Sequence, residues 1–368
     1  MESKIRVAVL FGGRSAEHEV SLQSARSIID ALDRDKYDVL LIGINKEGQW
    51  YLNDASRFLL KADNPKLVKL NNGAGTSVAL VPGQKNELID LSDKKPAGKI
   101  DVVFPVLHGP FGEDGTVQGL LKLANIPFVG SGVLGSAVGM DKDVMKRLLR
   151  DAGIPTAKFL VVHKHQLGKL RYGEVESLIG CPMFVKPANL GSSVGIRKVK
   201  SQAEFMPACQ EAFAFDRKIL IEEFVEGREI ECSVLGNDDP VASLPGEIIP
   251  QHEFYSYEAK YIDEKGALLK IPAELPAETV ERVKELAVAS FKALCCEGMA
   301  RVDMFLAPDG RIKVNEINTI PGFTKISMYP KLWEASGIPY KELIDRLIRL
   351  AIERFEQEQA LKTSHYDD

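Results

Sequence analysis

Two predicted strands near the carboxyl end of the chain carry side chains suited to holding a metal ion. Alternate side chains share one face of a strand, so Arg301 and Asp303 project together, as do Glu316 and Asn318. If the loop between the strands has an even count, both pairs lie on one side of the sheet. Carboxylate and amide oxygens are the ligands that Mg²⁺ prefers, together with nucleotide phosphates. A solvated polar face with a cross-strand Arg301–Glu316 salt bridge remains the alternative, and it is the commoner outcome for an isolated hairpin.

A glycine- and serine-rich segment between two predicted strands is suited to binding phosphate. It begins at Lys186 and continues through Gly191, Ser192, Ser193 and Gly195. Glycines allow successive backbone N–H groups to close around an anion, and serine hydroxyls add donors. A flexible hairpin tip is the alternative on this string alone. The segment is not a P-loop, because the pattern GxxxxGK[ST] is absent from the chain.

An apolar strand over 219–221 leads into acidic residues that suit the sugar and base of a nucleotide. Carboxylates such as Glu222, Glu223 and Glu229, with exposed backbone, would accept hydrogen bonds from an adenine amino group and ribose hydroxyls. Solvated glutamates at a strand end are the simpler explanation without further context.

Two segments at 12–19 and 108–115 follow predicted parallel strands and are rich in glycine and acidic residues. Ligands of open α/β sheets bind at the carboxyl ends of the strands, where these segments lie. Glu17 would suit a substrate ammonium group. An acidic residue favoured by the dipole at a helix N-terminus is an equally good explanation of Glu17.

The order of apolar segments predicts the elements that position these residues. Strands at 7–11, 39–44 and 100–107 alternate with amphipathic helices, which predicts a doubly wound amino-terminal domain. The stretch 53–99 has little sustained periodicity and is interpreted as a surface elaboration without chemistry. A helix from Met140 is predicted to bury the face Val144, Leu148, Leu149 and Ala152. Short strands around one helix at 203–215 then predict an α+β lobe, and two helices flanking the hairpin complete the chain.

Composition narrows the class of partner. The net charge is -5 and 27% of residues are charged, so there is no basic surface for nucleic acid and small molecules are expected instead. The five cysteines show no metal-site or disulfide spacing, and the first apolar run is too short for a signal peptide or membrane span. The expectation is a cytoplasmic protein with no membrane partner.

Several ordered motifs together resemble the D-alanine:D-alanine ligase family of the ATP-grasp superfamily. The resemblance covers nearly the whole chain and is carried by FGGRSAEHEVS from Phe11, HGPFGEDG from His108, Met-Asp-Lys at 140–142, VKP with GSSVG at 185–195, EAKY at 258–261, Arg-Val-Asp at 301–303 and NEINTIPGFT at 315–324. It implies an α/β doubly wound domain followed by an α+β ATP-grasp whose two lobes clasp ATP. The implied domains are residues 1–140, 141–225 and 226–368.

The resemblance implies a role for each matching position. Glu17, Ser192, Tyr261, Arg301 and Gly322 correspond to catalytic residues, with Glu17 binding the first D-alanine and the last two donating to the oxyanion. His108, Ser327 and Met328 join Glu17, Arg301 and Gly322 as substrate contacts. Asp303, Glu316 and Asn318 correspond to the metal ligands. ATP contacts are implied for Lys142, Lys186, Ser193, Glu222, Glu223, Phe224, Val225, Glu229, Lys260, Asn315 and Glu316.

The implied activity is ATP-dependent ligation of two D-alanines through a D-alanyl phosphate, for peptidoglycan precursor synthesis. Two Mg²⁺ ions are the implied cofactors, for which Mn²⁺ would substitute, and a homodimer is expected. A ligase that forms D-alanyl-D-lactate or D-alanyl-D-serine is the near alternative. The Lys260-Tyr261 pair resembles dipeptide-forming members and speaks against the depsipeptide reaction. A non-catalytic nucleotide-binding regulator would have lost the metal ligands, and all three are present.

Overall fold

The computed structural model describes residues 3–53, 59–60, 68–71, 75–83, 86–250 and 267–362. Lys260 and Tyr261, which the sequence places at the site, lie outside these residues. No helix in the described part of the chain is both long and apolar enough to cross a membrane.

Three parallel strands form the centre of the amino-terminal region. Strand β1 (Ile5–Gly12) lies between β2 (Tyr37–Ile44) and β9 (Val102–Val106) and runs parallel to both. The run Val7–Phe11 is fully buried, since a parallel sheet of this kind is covered on both faces. Helix α1 (His18–Ala31) connects β1 to β2. The predicted doubly wound arrangement is confirmed.

The stretch 53–99 contains regular structure that the sequence analysis did not identify. Four short antiparallel strands extend the sheet beyond β2, in the order β3-β6-β7-β8 from β2 outward to the edge of the sheet. Only β6 places buried residues at every second position, and each strand has just four or five residues, which is too short a pattern to recognise in the sequence. The strands are β3 (Trp50–Asn53), β6 (Thr76–Leu80), β7 (Glu87–Asp90) and β8 (Pro96–Lys99), and a separate pair is β4 (Leu59–Leu60) with β5 (Lys69–Leu70).

Helix α4 (Lys142–Asp151) buries a different face from the predicted one. Leu149 is buried as predicted, but Leu148 is exposed, and the buried stripe also contains Lys142, Met145 and Lys146. The apolar pattern predicted the wrong face because two lysines on the buried face are paired with carboxylates inside the molecule. The helices of this part of the chain are α2 (Thr116–Leu123), α3 (Val133–Met140) and α4 (Lys142–Asp151).

The central lobe is a four-stranded antiparallel sheet in the order β10-β13-β11-β12. Helices cover one face of it, around a core that includes Phe205, Val185 and Ile221. The opposite face carries Lys186 and Glu222 and belongs to the site. The elements are β10 (Phe159–His163), a 3-10 helix (Lys164–Lys169), α5 (Tyr172–Ile179), β11 (Met183–Pro187), β12 (Arg197–Val199), α6 (Gln202–Phe215) and β13 (Lys218–Glu223).

The carboxyl-terminal lobe is a second antiparallel sheet, in the order β17-β16-β14-β18-β19, with β15 paired to β14. Helix α7 packs on one face of this sheet, and its opposite face carries the polar side chains of the predicted hairpin. The elements are β14 (Arg228–Gly236), β15 (Val241–Ala242), β16 (Gly246–Pro250), β17 (Ala267–Lys270), α7 (Ala277–Ala293), β18 (Gly298–Leu306), β19 (Ile312–Asn318), α8 (Met328–Ala335) and α9 (Tyr340–Gln359).

The hydrophobic cores join segments that are distant in sequence. Met145 and Leu149 of α4 pack with Phe291 of α7, in the core of the carboxyl-terminal lobe. Leu343 and Ile348 of α9 pack in the same core as the strands of the amino-terminal sheet. The apolar side chains of helix α4 therefore pack with the third predicted domain, whereas Lys146 pairs with Glu222 of the second. The boundaries at 140 and 225 remain predictions.

Candidate active site

A β-bulge brings the predicted metal ligands onto one face of the sheet. Leu306 pairs with Ile312, so the loop between β18 and β19 holds the odd number of residues 307–311. An odd loop alone would place Glu316 and Asn318 on the face opposite Asp303. The register shifts by one residue at Asn315, so Asp303 pairs with Glu316, and Arg301 pairs with Asn318. The predicted shared face is confirmed, although by a bulge and not by loop length.

Three of the four side chains of this face are joined by hydrogen bonds, and the fourth, Glu316, pairs with Lys142. Arg301 donates two hydrogen bonds to Asp303, at 2.7 and 2.8 Å, and Asn318 donates one to the same carboxylate at 3.0 Å. The Nε of Arg301 also lies 2.9 Å from a carboxylate oxygen of Glu231 on the neighbouring strand β14. The guanidinium thus lies between the carboxylates of Asp303 and Glu231.

Three buried lysines surround the metal-ligand face and the adjoining strand β13. Lys142 Nζ lies 3.3 Å from Glu316, and Lys186 Nζ donates to Asn315 at 3.4 Å. Glu222 forms ion pairs with both Lys186 and Lys146, the latter at 3.1 Å. These cations provide the positive charge that a polyphosphate chain requires.

Charges inside this cluster shift one another's ionisation. Burial alone would raise the pKa of Glu222, but the ammonium groups of Lys146 and Lys186 hold its pKa below the usual value. Burial lowers the pKa of Lys146, against the attraction of Glu222. Glu222 is therefore a carboxylate at neutral pH, held between two lysines.

The glycine–serine loop connects the central lobe to the amino-terminal domain. Ser192 and Ser193 both have left-handed backbone conformations, with φ of 50° and 61°, which turn the loop sharply over the cleft. The Ser192 hydroxyl donates a hydrogen bond to Glu17, and the amide and side chain of Asn189 both donate to Asp216. The loop is thus held at its start by Asn189 and near its middle by Ser192, which links it to Glu17.

The acidic end of β13 and the residues that follow it lie beside the same cleft. Glu223 accepts hydrogen bonds from Lys313 and from the backbone N–H of Lys158, so its side chain already has partners. Phe224 is partly exposed and stacks under the ammonium of Lys198, whose Nζ is 3.9 Å from the ring centroid. One cleft collects these residues with the loop and the polar face, and its lining includes Lys186, Ser192, Ser193, Glu222, Glu223, Phe224, Val225, Glu229, Glu231, Asp303, Asn315 and Glu316.

His108 connects the amino-terminal domain to the loop after β19. Its Nδ1 donates to the carbonyl of Ile320 at 3.0 Å, which leaves Nε2 to accept from the Ser24 hydroxyl at 3.3 Å. Ser24 in turn accepts the backbone N–H of Phe323. Burial lowers the pKa of His108, so the imidazole is neutral at pH 7. These hydrogen bonds flank Gly322, the predicted oxyanion donor.

The loop before α8 holds the predicted second-substrate residues. Ser327 Oγ accepts the backbone N–H of Thr324 at 3.0 Å and lies 2.8 Å from its hydroxyl. Any side chain on Gly322 would meet this Oγ, because a Cβ there would lie 2.7 Å away. Met328 is the first residue of α8, and its side chain packs in a small core with Ile248 and Leu332. Its backbone N–H is therefore the part of Met328 that is available at the helix N-terminus.

Three charged residues of the site were missed in the sequence. Glu231 alternates with Glu229 along β14, and this two-residue spacing was the available signal. Lys146 lies one helical turn after Lys142, which was also visible. Glu113 accepts the backbone N–H groups of Gly109 and Ile320, and burial and the neighbouring Glu17 raise the pKa of Glu113 to about 8. No local pattern indicates that contact across the fold.

The donors on the polar face fit a hard divalent cation. Asp303 and Glu316 face each other across the strand pair, and Asn318 adds an amide oxygen. Within the described residues, no group of three His, Cys, Asp or Glu side chains forms a metal cage. Two carboxylates and an amide agree with Mg²⁺, which keeps several waters and is completed by phosphate oxygens.

Models of known families match both halves of the chain. The model described as the D-ala D-ala ligase C-terminus matches residues 148–349, and that for the D-ala D-ala ligase N-terminus matches residues 6–131. A D-alanine–D-alanine ligase of Oceanobacillus iheyensis is 55% identical over 99% of this chain and 100% of its own. D-alanine–D-alanine ligase A of Escherichia coli K12 is 53% identical over 98% and 99% of the two chains.

Solved structures show the same likeness. The D-alanine–D-alanine ligase of Coxiella burnetii superimposes with a TM-score of 0.85 and 40% identity, over 97% of this chain and 96% of that one. The VanG D-Ala:D-Ser ligase of Enterococcus faecalis gives a TM-score of 0.83 and 36% identity, over 95% and 100%. The whole-chain matches, on a fold with this polar face and loop, place the chain in the D-alanine–D-alanine ligase family.

Proposed function

We propose that the chain joins two D-alanines to D-alanyl-D-alanine with hydrolysis of ATP to ADP and phosphate, as a step toward peptidoglycan precursors. The observation that carries this proposal is the shared face of Arg301, Asp303, Glu316 and Asn318 beside a loop anchored to Glu17. The five free thiols and the acidic composition support action in the cytoplasm.

The buried lysines bind the triphosphate. Lys142 and Lys186 line the approach to the polar face, and the N–H groups around Ser193 close over the phosphates. The backbone of Glu223, Phe224 and Val225 receives the adenine, because the Glu223 carboxylate is already engaged by Lys313. Glu229 then reaches the ribose hydroxyls, and Glu222 sets the position of Lys186.

Asp303, Glu316 and Asn318 would hold two Mg²⁺ ions, with Mn²⁺ able to substitute. When bound, these ions neutralise phosphate charge that would otherwise repel an attacking carboxylate. The protein's own part is to supply three oxygen ligands from one rigid strand pair and to keep Lys142 beside them.

The reaction proceeds in two steps. A carboxylate oxygen of the first D-alanine attacks the terminal phosphorus of ATP, which releases ADP and leaves a D-alanyl phosphate. The amine of the second D-alanine then adds to the acyl carbon, and phosphate leaves as the C–N bond is completed. Arg301 and the N–H of Gly322 donate to the oxyanion of the tetrahedral intermediate. Ser327 and the backbone of Met328 receive the second carboxylate at the N-terminus of α8.

Glu17 binds the ammonium group of the first D-alanine in this proposal. Glu17→Gln removes the negative charge and is expected to raise the KM for D-alanine about tenfold or more, since hydrogen bonds to charged groups are worth about 1.5–3 kcal/mol. Glu19→Gln is the control, because Glu19 lies two residues further on, in the first turn of α1, and pairs with Lys46 at the surface. Steady-state kinetics with an unchanged KM in Glu17→Gln would contradict the assignment.

The identity of the second substrate is tested by competition. ATP, Mg²⁺ and equal amounts of D-alanine, D-lactate and D-serine are supplied together, and the products are separated by mass. D-Alanyl-D-alanine is expected to dominate. A dominant D-alanyl-D-serine product would favour the alternative represented by the Enterococcus ligase, and no product of either kind would reject the proposed function.

The exposed apolar residues of α2 and α3 support a homodimer. Leu123 and Leu134 are 75% and 60% exposed, and both project from the amino-terminal region. Light scattering is expected to give twice the chain mass of 40.6 kDa. A wild-type protein with the mass of one chain would reject the homodimer.

A further inference from the structure

Glu231 is a buried carboxylate that faces the reaction site from β14. It is 6% exposed, lies directly opposite Asp303 in the strand pairing, and lines the cleft. One of its oxygens lies 2.9 Å from Arg301 Nε. Two carboxylates directly opposite each other repel, so Glu231 and Asp303 depend on the guanidinium beside them.

Arg301 needs a second carboxylate partner if Asp303 also ligates the metal. Asp303 holds the guanidinium with two hydrogen bonds, and it is also the residue proposed to ligate the metal. A carboxylate that shares its electrons with a divalent cation is a weaker acceptor for a guanidinium. Glu231 is not among the proposed metal ligands, and it comes from a different strand.

We propose that Glu231 is a positioning residue that holds the Arg301 guanidinium over the reacting acyl carbon while Asp303 serves the metal. The inference rests on the proposed function, in which Arg301 donates to the oxyanion. In this arrangement the paired strands β14 and β18 position the Arg301 guanidinium, with one carboxylate from each strand. Glu231 itself acts through Arg301 and does not touch the substrate.

A double-mutant cycle between Glu231 and Arg301 tests this inference. Glu231→Gln keeps the shape and removes the charge, and it is expected to lower kcat for the dipeptide about tenfold with KM for ATP within about twofold. In an Arg301→Ala background the same change is expected to lower kcat by less than about twofold, since the residue it acts through is gone. Arg301→Lys provides a second background in case the alanine variant does not fold.

The matched control is Glu247→Gln, which breaks another Arg–Glu pair in the same sheet, between the buried Glu247 and the partly exposed Arg228. Glu247 binds Arg228 with two contacts of 2.7 Å away from the polar face, so its loss should affect stability and leave kcat within about twofold. Equal losses from Glu231→Gln in both backgrounds, or a wild-type kcat in the single variant, would overturn the inference. Failure of the wild-type chain to form dipeptide would instead reject the proposed function.

Discussion

Arg301→Ala is expected to lower kcat on the order of a hundredfold or more. The guanidinium is fixed by Asp303 and Glu231, so it is already aimed before the reaction begins and needs no reorganisation. Removal of one such oxyanion donor costs about 2.7–4 kcal/mol in other enzymes. The measurement is the steady-state rate of D-alanyl-D-alanine formation at saturating ATP and D-alanine.

Arg311→Ala is the matched control for this change. Arg311 lies in the turn of the same hairpin, is largely exposed, and pairs with Asp309. Its loss is expected to leave kcat within about twofold, as is usual for an exposed ion pair. An Arg301→Ala enzyme that turns over at the wild-type rate would show that the oxyanion is stabilised by other groups.

Lys146→Met is expected to lower the free energy of unfolding by about 3 kcal/mol. The Lys146 side chain is completely buried and pairs with Glu222, which is also buried. Removing one partner of a buried ion pair leaves an undercompensated charge and typically costs about 3–5 kcal/mol. The lower end applies here because Lys186 still pairs with Glu222. Chemical denaturation in urea, followed by circular dichroism, provides the measurement.

Two further variants show whether the lost charge is the cause. Arg147→Met removes a surface pair with Asp143 on the same helix and is expected to cost no more than about 0.5 kcal/mol. The double variant Lys146→Met/Glu222→Gln is expected to be less stable than Lys146→Met, because the buried Lys186 ammonium then loses the carboxylate that still paired with it. A Lys146→Met protein as stable as the wild type would show that the buried pair contributes nothing net.

Features with a clear local period were predictable from the sequence. Val7–Phe11 and the buried face of α1 follow from unbroken or regularly spaced apolar residues, and both are buried in the structure. The grouping of Arg301 with Asp303, and of Glu316 with Asn318, follows from the two-residue period of a strand. These patterns are properties of single elements, which is why a single sequence contains them.

Features that depend on partners from other elements were not predictable in the same way. Lys142 and Lys146 of α4 are buried because Glu316 and Glu222 on other elements pair with them. The spacing of residues along the helix does not indicate these partners. The bulge at Asn315 compensates an odd loop, and only the register of the two strands reveals it. The same holds for Glu231, whose importance comes from Arg301 on the next strand.

The position of the divalent ion tests the central claim most directly. Crystals grown with Mn²⁺ and a non-hydrolysable ATP analogue would give anomalous peaks at the metal. The account predicts peaks within about 2.0–2.3 Å of carboxylate oxygens of Asp303 and Glu316 and of the Asn318 amide oxygen, with the phosphates beneath the glycine–serine loop. Peaks bound to other side chains, or phosphates away from that loop, would contradict it.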